Sequence, residues 1–99
     1  MSYFVYKFVP RRPGFPATMT DTEAATMHEH VAYWQKVADR GTAVVFGPVA
    51  DPAGSLGVAV VEADTQQDVD AICAADPVVL ADLGPVDVYP MPTAIIRHA

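Results

Sequence analysis

The order of strand-like and helix-like segments is the strongest constraint on the fold of this chain. Residues 2–9 alternate between two apolar-rich sets, a pattern typical of a β-strand with contacts on both faces. Residues 42–49 and 56–63 are apolar runs rich in β-branched residues, and the turn-forming segment 50–54 joins them as a hairpin. Residues 86–89 form a last short strand, so that a four-stranded sheet is predicted.

A long helix is predicted between the first two strands, after a proline-rich loop at residues 10–16. Thr20 and Glu23 form a capping box, in which each side chain accepts a hydrogen bond from the other residue's amide. The helix should end near Arg40, where Gly41 can adopt the left-handed conformation that stops it. The apolar stripe that we expect to face the core consists of Ala24, Met27, Val31, Trp34 and Ala38.

A second helix follows the hairpin; Asp64 or Thr65 can cap it, and it should run to about Ala75. It should end at Asp76, because a residue before proline avoids helical dihedral angles, and residues 78–83 could add one further turn. The complete order is β-α-β-β-α-β. This is the ferredoxin-like arrangement of an α+β fold, an antiparallel sheet with helices on one face.

The predicted strands are apolar on both faces, although helices cover only one face in this arrangement. An uncovered apolar face would be a large exposed patch, and residues 42–49 read as a buried strand. A second copy of the chain is the simplest cover, so we expect a homodimer with two sheets packed face to face. With 99 residues, the chain is expected to form one domain over residues 1–99.

Composition argues against several classes of function. No apolar run reaches the ~18 residues of a membrane span, and the N-terminus does not resemble a signal peptide. The one cysteine, Cys73, cannot form an internal disulfide and suits a reducing compartment, so we expect a cytoplasmic protein with Cys73 in its core. The net charge is −6 and only Arg11 and Arg12 form a basic pair, which argues against nucleic-acid binding.

His30 is the first candidate for chemistry. It lies on one flank of the apolar stripe, where an imidazole could look into a cleft and act as a general acid or base. The alternative is a partly buried histidine that only hydrogen-bonds a carbonyl. His28 diverges from His30 by ~200° around the helix, and His98 matches no motif. Neither completes a metal site, and we expect neither a metal nor a cofactor.

Asp76 is the second candidate. As the residue before Pro77 it is a good N-cap for the following turn, which would explain it without any chemistry. Alternatively, its carboxylate holds the imidazole of His30 in one tautomer or itself moves a proton. Both roles are compatible if the two carboxylate oxygens divide them.

Two aromatic residues follow His30 on the same helix. Trp34 lies within the apolar stripe and is expected in the core, with its indole N–H donated to a carbonyl. Tyr33 lies on the opposite side of the helix. It could face a dimer partner or line the mouth of a site, and the sequence does not decide between them.

Several short segments together resemble one known family. They are His30-Val31-Ala32-Tyr33-Trp34, Gly41, the run Phe-Gly-Pro-Val-Ala-Asp-Pro-Ala-Gly at 46–54, and Asp76-Pro77. In this order and at these spacings they resemble the YCII-related family of small α+β proteins. The resemblance implies a dimeric α/β-barrel type of fold, in which His30 and Asp76 match the family's characteristic histidine and aspartate and lie near each other.

The resemblance has one departure. Many relatives carry an arginine shortly before the family histidine, and Met27 stands in that region here. An anionic substrate held by that arginine is therefore not implied for this chain. Arg11 or Arg12 could replace it from the proline-rich loop.

The resemblance also carries an expectation about function. Some relatives are thought to be small-molecule lyases, including a dehydrochlorinase of aromatic breakdown, and such chemistry suits a His/Asp proton-transfer pair. We therefore expect a dimeric enzyme that acts on a small organic molecule by elimination or hydrolysis, with His30 and Asp76 as its acid-base site and no cofactor. The alternative is a non-catalytic ligand-binding or structural dimer of the same fold.

Overall fold

The computed structural model describes residues 2–97 of the chain, so His98, which matches no motif, lies outside the described residues. Eight elements follow one another in the order β-α-α-β-β-α-α-β. They are β1 (Ser2–Phe8), α1 (Phe15–Thr18), α2 (Asp21–Asp39), β2 (Ala43–Val49), β3 (Leu56–Ala63), α3 (Gln66–Ala74), α4 (Pro77–Leu80) and β4 (Val86–Met91).

The four strands form one antiparallel sheet in the order β2-β3-β1-β4, with the helices on one face. The ferredoxin-like α+β architecture is therefore confirmed. Side chains of β1 alternate between the helix-covered face, where Phe4, Tyr6 and Phe8 are buried, and the opposite face. The short helix α1 is an addition to the predicted pattern and overlaps the end of the segment expected to be a loop, whereas α4 is the one further turn expected after Asp76.

Local chemistry sets the helix boundaries as predicted. The capping box of α2 is complete, since Thr20 accepts from the amide of Glu23 and Glu23 accepts from the amide of Thr20. Gly41 follows α2 with φ of 83°, a left-handed conformation that a glycine adopts without the steric cost of a side chain. Thr65, rather than Asp64, caps α3 by accepting from the amide of Asp68.

The face of α2 that packs on the sheet is rotated from the predicted apolar stripe. His30, Trp34 and Val37 are its buried residues, whereas Val31, placed within the stripe, is 54% exposed. The expectation that His30 is only partly buried on a flank was therefore wrong. The stripe was predicted from the apolar residues alone. Such a pattern does not show that a buried polar group elsewhere in the chain binds His30.

Strand β2 was expected to be buried, and in the single chain it is not. It is the outermost strand next to β3, and Val44 and Val45 are more than half exposed. The register between β2 and β3 shifts between Ala43 and Val45, which is a β-bulge that contains Val44. An apolar run predicts that a surface is covered, but it does not say whether the same chain covers it.

The sheet face opposite the helices carries an apolar row that crosses all four strands. Val60 of β3 lies beside Val45 of β2 and Val5 of β1, and Val5 lies beside Tyr89 of β4. Val45 and Tyr89 are 57% and 49% exposed in the single chain. We call these four residues the open-face row.

A glycine joins the loop after β1 to the loop before β4. Gly84 is buried, and a Cβ atom at this position would overlap the carbonyl oxygen of Val9. Hydrogen bonds from Val9 N to Pro85 O (3.1 Å) and from Arg11 N to Leu83 O (3.1 Å) hold the two loops together. This contact fixes the start of the segment that leads into α1. None of the helices between residues 2 and 97 is long and apolar enough to span a membrane.

Candidate functional site

Asp76 occupies the junction between α3 and α4. It has extended backbone dihedral angles, Pro77 follows it at the start of α4, and its Oδ1 accepts a hydrogen bond from the amide of Val78 at 3.1 Å. The predicted N-cap is therefore present. The side chain is completely buried, which requires other partners for the remaining lone pairs of the carboxylate.

His30 is one of these partners, although 46 positions separate the two residues in the sequence. Its Nδ1 lies 2.7 Å from Asp76 Oδ1, and the imidazole is only 1% exposed. The structure thus brings together the two residues predicted for the site. A carboxylate on Nδ1 favours the tautomer in which Nδ1 carries the proton, and Nε2 then has a free lone pair.

Two further side chains donate hydrogen bonds to the Asp76 carboxylate, and the sequence predicted neither of these contacts. Tyr6 from β1 donates its hydroxyl to Asp76 Oδ2 at 2.7 Å, and Trp34 from α2 donates its indole N–H to the same oxygen at 2.8 Å. Trp34 was expected to donate to a carbonyl. Oδ1 accepts from both His30 and the amide of Val78, so the two roles of Asp76 coexist on one carboxylate oxygen and not on different ones. The sequence signal for Tyr6 was its place among the inward residues of β1.

These contacts decide the ionisation of Asp76. Burial raises the pKa of a carboxyl group, but hydrogen bonds from His30, Trp34 and Tyr6 together outweigh burial, so that the pKa of Asp76 lies below its ordinary value. The pKa of Tyr6 is raised, first by burial and then by its hydrogen bond to Asp76. At neutral pH the site therefore contains an ionised carboxylate and a neutral phenol.

The imidazole forms part of the wall of an apolar cavity of about 240 Å³. The Phe46 and Phe8 rings lie 5.2 and 5.8 Å from the His30 ring, centroid to centroid. Among the described residues that line the cavity, His30 is the only titratable side chain and Ser55 is the only hydroxyl. The lining residues are Phe8, Pro10, Phe15, Pro16, Met19, Met27, His30, Val31, Phe46, Pro48, Ser55, Leu56 and Gly57.

This arrangement can move a proton. Asp76 does not line the cavity, and its two carboxylate oxygens are occupied by four donors. It can therefore act on a ligand only through His30. Nε2 is the ring nitrogen that Asp76 leaves available. It can accept a proton from a bound molecule, and the carboxylate stabilises the imidazolium that forms.

The other predicted residues lie away from the cavity. Tyr33 neither lines it nor belongs to the open-face row; its hydroxyl donates to the carbonyl of Ile72 at 2.6 Å and ties α2 to α3. His28 is exposed. Cys73 is buried as predicted, and burial raises its thiol pKa to about 12, so it is a poor nucleophile. Within residues 2–97, no group of three His, Cys, Asp or Glu side chains is placed to hold a metal ion.

The two arginines proposed as substitutes for the family arginine are engaged with other groups. Arg11 pairs with the side chain of Asp82 at the surface. Arg12 pairs with Glu23 at 2.8 Å, and its guanidinium lies over the Phe15 ring, 5.4 Å from the ring centroid. Phe15 lines the cavity, so Arg12 contacts one residue of the cavity wall without lining the cavity itself.

Comparisons with known proteins agree with the fold. The model of the YCII-related domain matches residues 5–92. The solved structure of the 5-chloro-2-hydroxyhydroquinone dehydrochlorinase TftG of Burkholderia phenoliruptrix AC1100, in complex with 2,5-dihydroxybenzoquinone, is 17% identical, with a TM-score of 0.60 over 97% of this chain and 95% of that one. The structure of Rv0793 from Mycobacterium tuberculosis is 15% identical, with a TM-score of 0.50 over 98% and 96% of the two chains. A search of curated proteins finds no match.

Proposed function

This chain belongs to the YCII-related family, and from that premise we propose that it is a small, cofactor-independent enzyme that moves a proton on a small organic molecule. His30 is the proposed catalytic residue and Asp76 positions it. The observation that carries the proposal is the 2.7 Å contact between His30 Nδ1 and Asp76 Oδ1, in which both side chains are buried. The imidazole of this pair also lines an apolar cavity.

The proposed reaction is an elimination or a hydrolysis. Nε2 of His30 removes a proton from the substrate or from an attacking water, and the imidazolium is stabilised by the ionised Asp76. The same nitrogen returns the proton to the leaving group or to bulk water. Because Tyr6 and Trp34 already donate to Asp76, the carboxylate need not bind a water molecule or ligand to be satisfied.

The size and lining of the cavity support a compact substrate. A cavity of about 240 Å³ exceeds the roughly 150 Å³ that accommodates benzene in an engineered protein, so one substituted ring fits. Three phenylalanine rings, Phe8, Phe15 and Phe46, can contact a flat molecule. The dehydrochlorinase TftG is an enzyme of the same fold, and at 17% identity that likeness supports the architecture while the dyad supports the chemistry.

The decisive prediction compares two histidines of one helix. We expect His30→Gln to lower turnover of a proton-transfer substrate by about 100-fold or more, because general acid-base catalysis contributes factors of that size. His28→Gln is the matched control, since His28 is exposed on the same helix and should leave turnover unchanged. The screen would use substituted phenols, hydroquinones and quinones of one ring, with product formation followed by absorbance. Equal turnover by wild type and His30→Gln would refute the proposal.

A second candidate function is ligand binding without chemistry. The observation that favours it is the lining of the cavity, which offers His30 as its single titratable group among the described residues. Trp34 can report binding, because it is the only tryptophan and its ring is stacked on Phe46 with centroids 5.3 Å apart. A probe that shifts Trp34 fluorescence but yields no product with wild-type protein would favour the binding function.

We also propose that two copies pair through the open-face row. Val5, Val45, Val60 and Tyr89 form a continuous apolar stripe with no helix over it, and a second sheet would cover the whole row at once. Wild type should sediment as a dimer at micromolar concentration, with more than ~1,000 Å² buried in total.

Val60→Lys should convert this dimer to a monomer, because it places a charge at the middle of the row. Ala71→Lys is the control: Ala71 is exposed on α3 and should leave the dimer intact. Analytical ultracentrifugation of the three proteins decides the question, and a monomeric wild type would exclude the proposed pairing.

A further inference from the structure

Tyr6 is a buried titratable residue that the proposed proton transfer does not use directly. It lies on the central strand β1, completely buried, and its ring packs on Trp34 with centroids 4.6 Å apart. Its hydroxyl donates to Asp76 Oδ2, the oxygen that does not contact His30. A phenylalanine would fill the same space, so packing alone does not require the hydroxyl.

We propose that Tyr6 is a positioning residue of this site: its hydroxyl holds Asp76 Oδ2, so that Oδ1 alone faces His30 Nδ1 and the shared proton stays on the imidazole. The inference deepens the proposed function and rests on it for its catalytic meaning. The geometry itself is independent of any substrate, because all the atoms belong to the buried network.

The physical argument concerns competition for one proton. A carboxylate that accepts several hydrogen bonds binds a proton less tightly than one that accepts few, because each donor stabilises the ionised form. With Tyr6 and Trp34 on Oδ2, Asp76 is a weak base and an effective hydrogen-bond acceptor. Without the Tyr6 hydroxyl, Asp76 would compete for the Nδ1 proton, and the carboxylate would lose one of the two contacts that fix Oδ2.

Four titratable side chains lie near the Asp76 carboxylate among the described residues. Helix α2 contributes His30 and Tyr33, strand β1 contributes Tyr6, and helix α3 contributes Cys73. Tyr33 donates instead to the carbonyl of Ile72, and Cys73 remains a neutral thiol because burial raises its pKa. His30 and Tyr6 are therefore the titratable side chains that hydrogen-bond Asp76.

The chain offers a matched pair of variants for the test. Tyr6→Phe removes the hydroxyl that contacts Asp76, and Tyr33→Phe removes an equally short hydroxyl hydrogen bond that ends on a backbone carbonyl. NMR of the free proteins measures the Nδ1 proton of His30 and the titration of the Asp76 carboxyl carbon. We expect Asp76 to bind a proton about tenfold more tightly in Tyr6→Phe than in Tyr33→Phe, with the His30 Nδ1 proton shifted downfield.

Identical titrations of Asp76 in folded Tyr6→Phe and Tyr33→Phe would overturn the inference. If Tyr6→Phe does not fold, wild type decides: the Tyr6 hydroxyl proton must shift with the same midpoint as the Asp76 carboxyl carbon, and a hydroxyl signal that ignores this titration would overturn it. These measurements need no substrate. Failure of the proposed function would be seen instead as unchanged turnover in His30→Gln, so the two failures are distinguishable.

Discussion

Asp76→Ala is expected to destabilise the folded chain by about 3–5 kcal/mol. The substitution leaves the buried donors of His30, Tyr6 and Trp34 without their acceptor, and each buried polar group left unsatisfied costs about 1–3 kcal/mol. It also removes the N-cap of α4, which is worth about 1 kcal/mol. Partial relaxation of the site keeps the total below the sum of these contributions.

Chemical denaturation with urea measures this loss, and two variants sharpen it. Asp76→Asn keeps an oxygen that can cap α4, so it should cost less than Asp76→Ala; the difference reflects the buried network and the cap together. Asp70→Ala is the surface control on α3 and should change stability by less than about 0.5 kcal/mol. An Asp76→Ala loss as small as that of Asp70→Ala would mean that the network contributes nothing to folding.

Trp34→Ala should cost a similar amount, about 3–5 kcal/mol, for a different reason. The indole is completely buried between Tyr6 and Phe46, and its removal leaves a large cavity in addition to a lost hydrogen bond to Asp76. Phe46, which lines the candidate ligand cavity, should also lose the indole ring on which it is stacked.

The control for Trp34→Ala is Val31→Ala on the same helix. Sequence periodicity places both residues in one apolar stripe, whereas the structure buries Trp34 and exposes more than half of Val31. Val31→Ala should therefore cost less than about 1 kcal/mol. A larger loss for Val31→Ala than for Trp34→Ala, measured by the same denaturation, would contradict the observed rotation of α2.

The sequence predicts helix ends well, because residues close together in the chain determine them. The capping box at Thr20, the stop at Gly41 and the N-cap at Asp76 each depend on residues at most three positions apart, and all are present. The strand order depends on contacts between residues far apart in the sequence. The succession β-α-β-β-α-β nevertheless leaves few possible arrangements of the four strands.

The site was predictable only in part. The proximity of His30 and Asp76 came from a resemblance to known proteins, since no local rule connects residues 46 positions apart. Trp34 was expected in the core with its indole N–H on a carbonyl, and Tyr6 was not singled out, because burial of an aromatic ring is explained by packing and does not indicate which acceptor its polar group binds. The rotation of α2 was not predicted, because histidine is counted as a polar residue when an apolar stripe is drawn. Here the contact with the buried Asp76 carboxylate makes burial of His30 favourable.

The two border strands restrict how copies of this chain can associate. Pro48 lies in β2 and Pro90 in β4, and these are the two outer strands of the sheet. A proline has no amide proton, so neither border offers a complete row of donors to the strand of a neighbouring molecule, and the bulge at Val44 distorts β2 further. Growth of the sheet sideways into a ribbon of many chains is therefore disfavoured at both ends. The proposed stacking through the open-face row, by contrast, would end with two molecules, because each sheet has one face without helices.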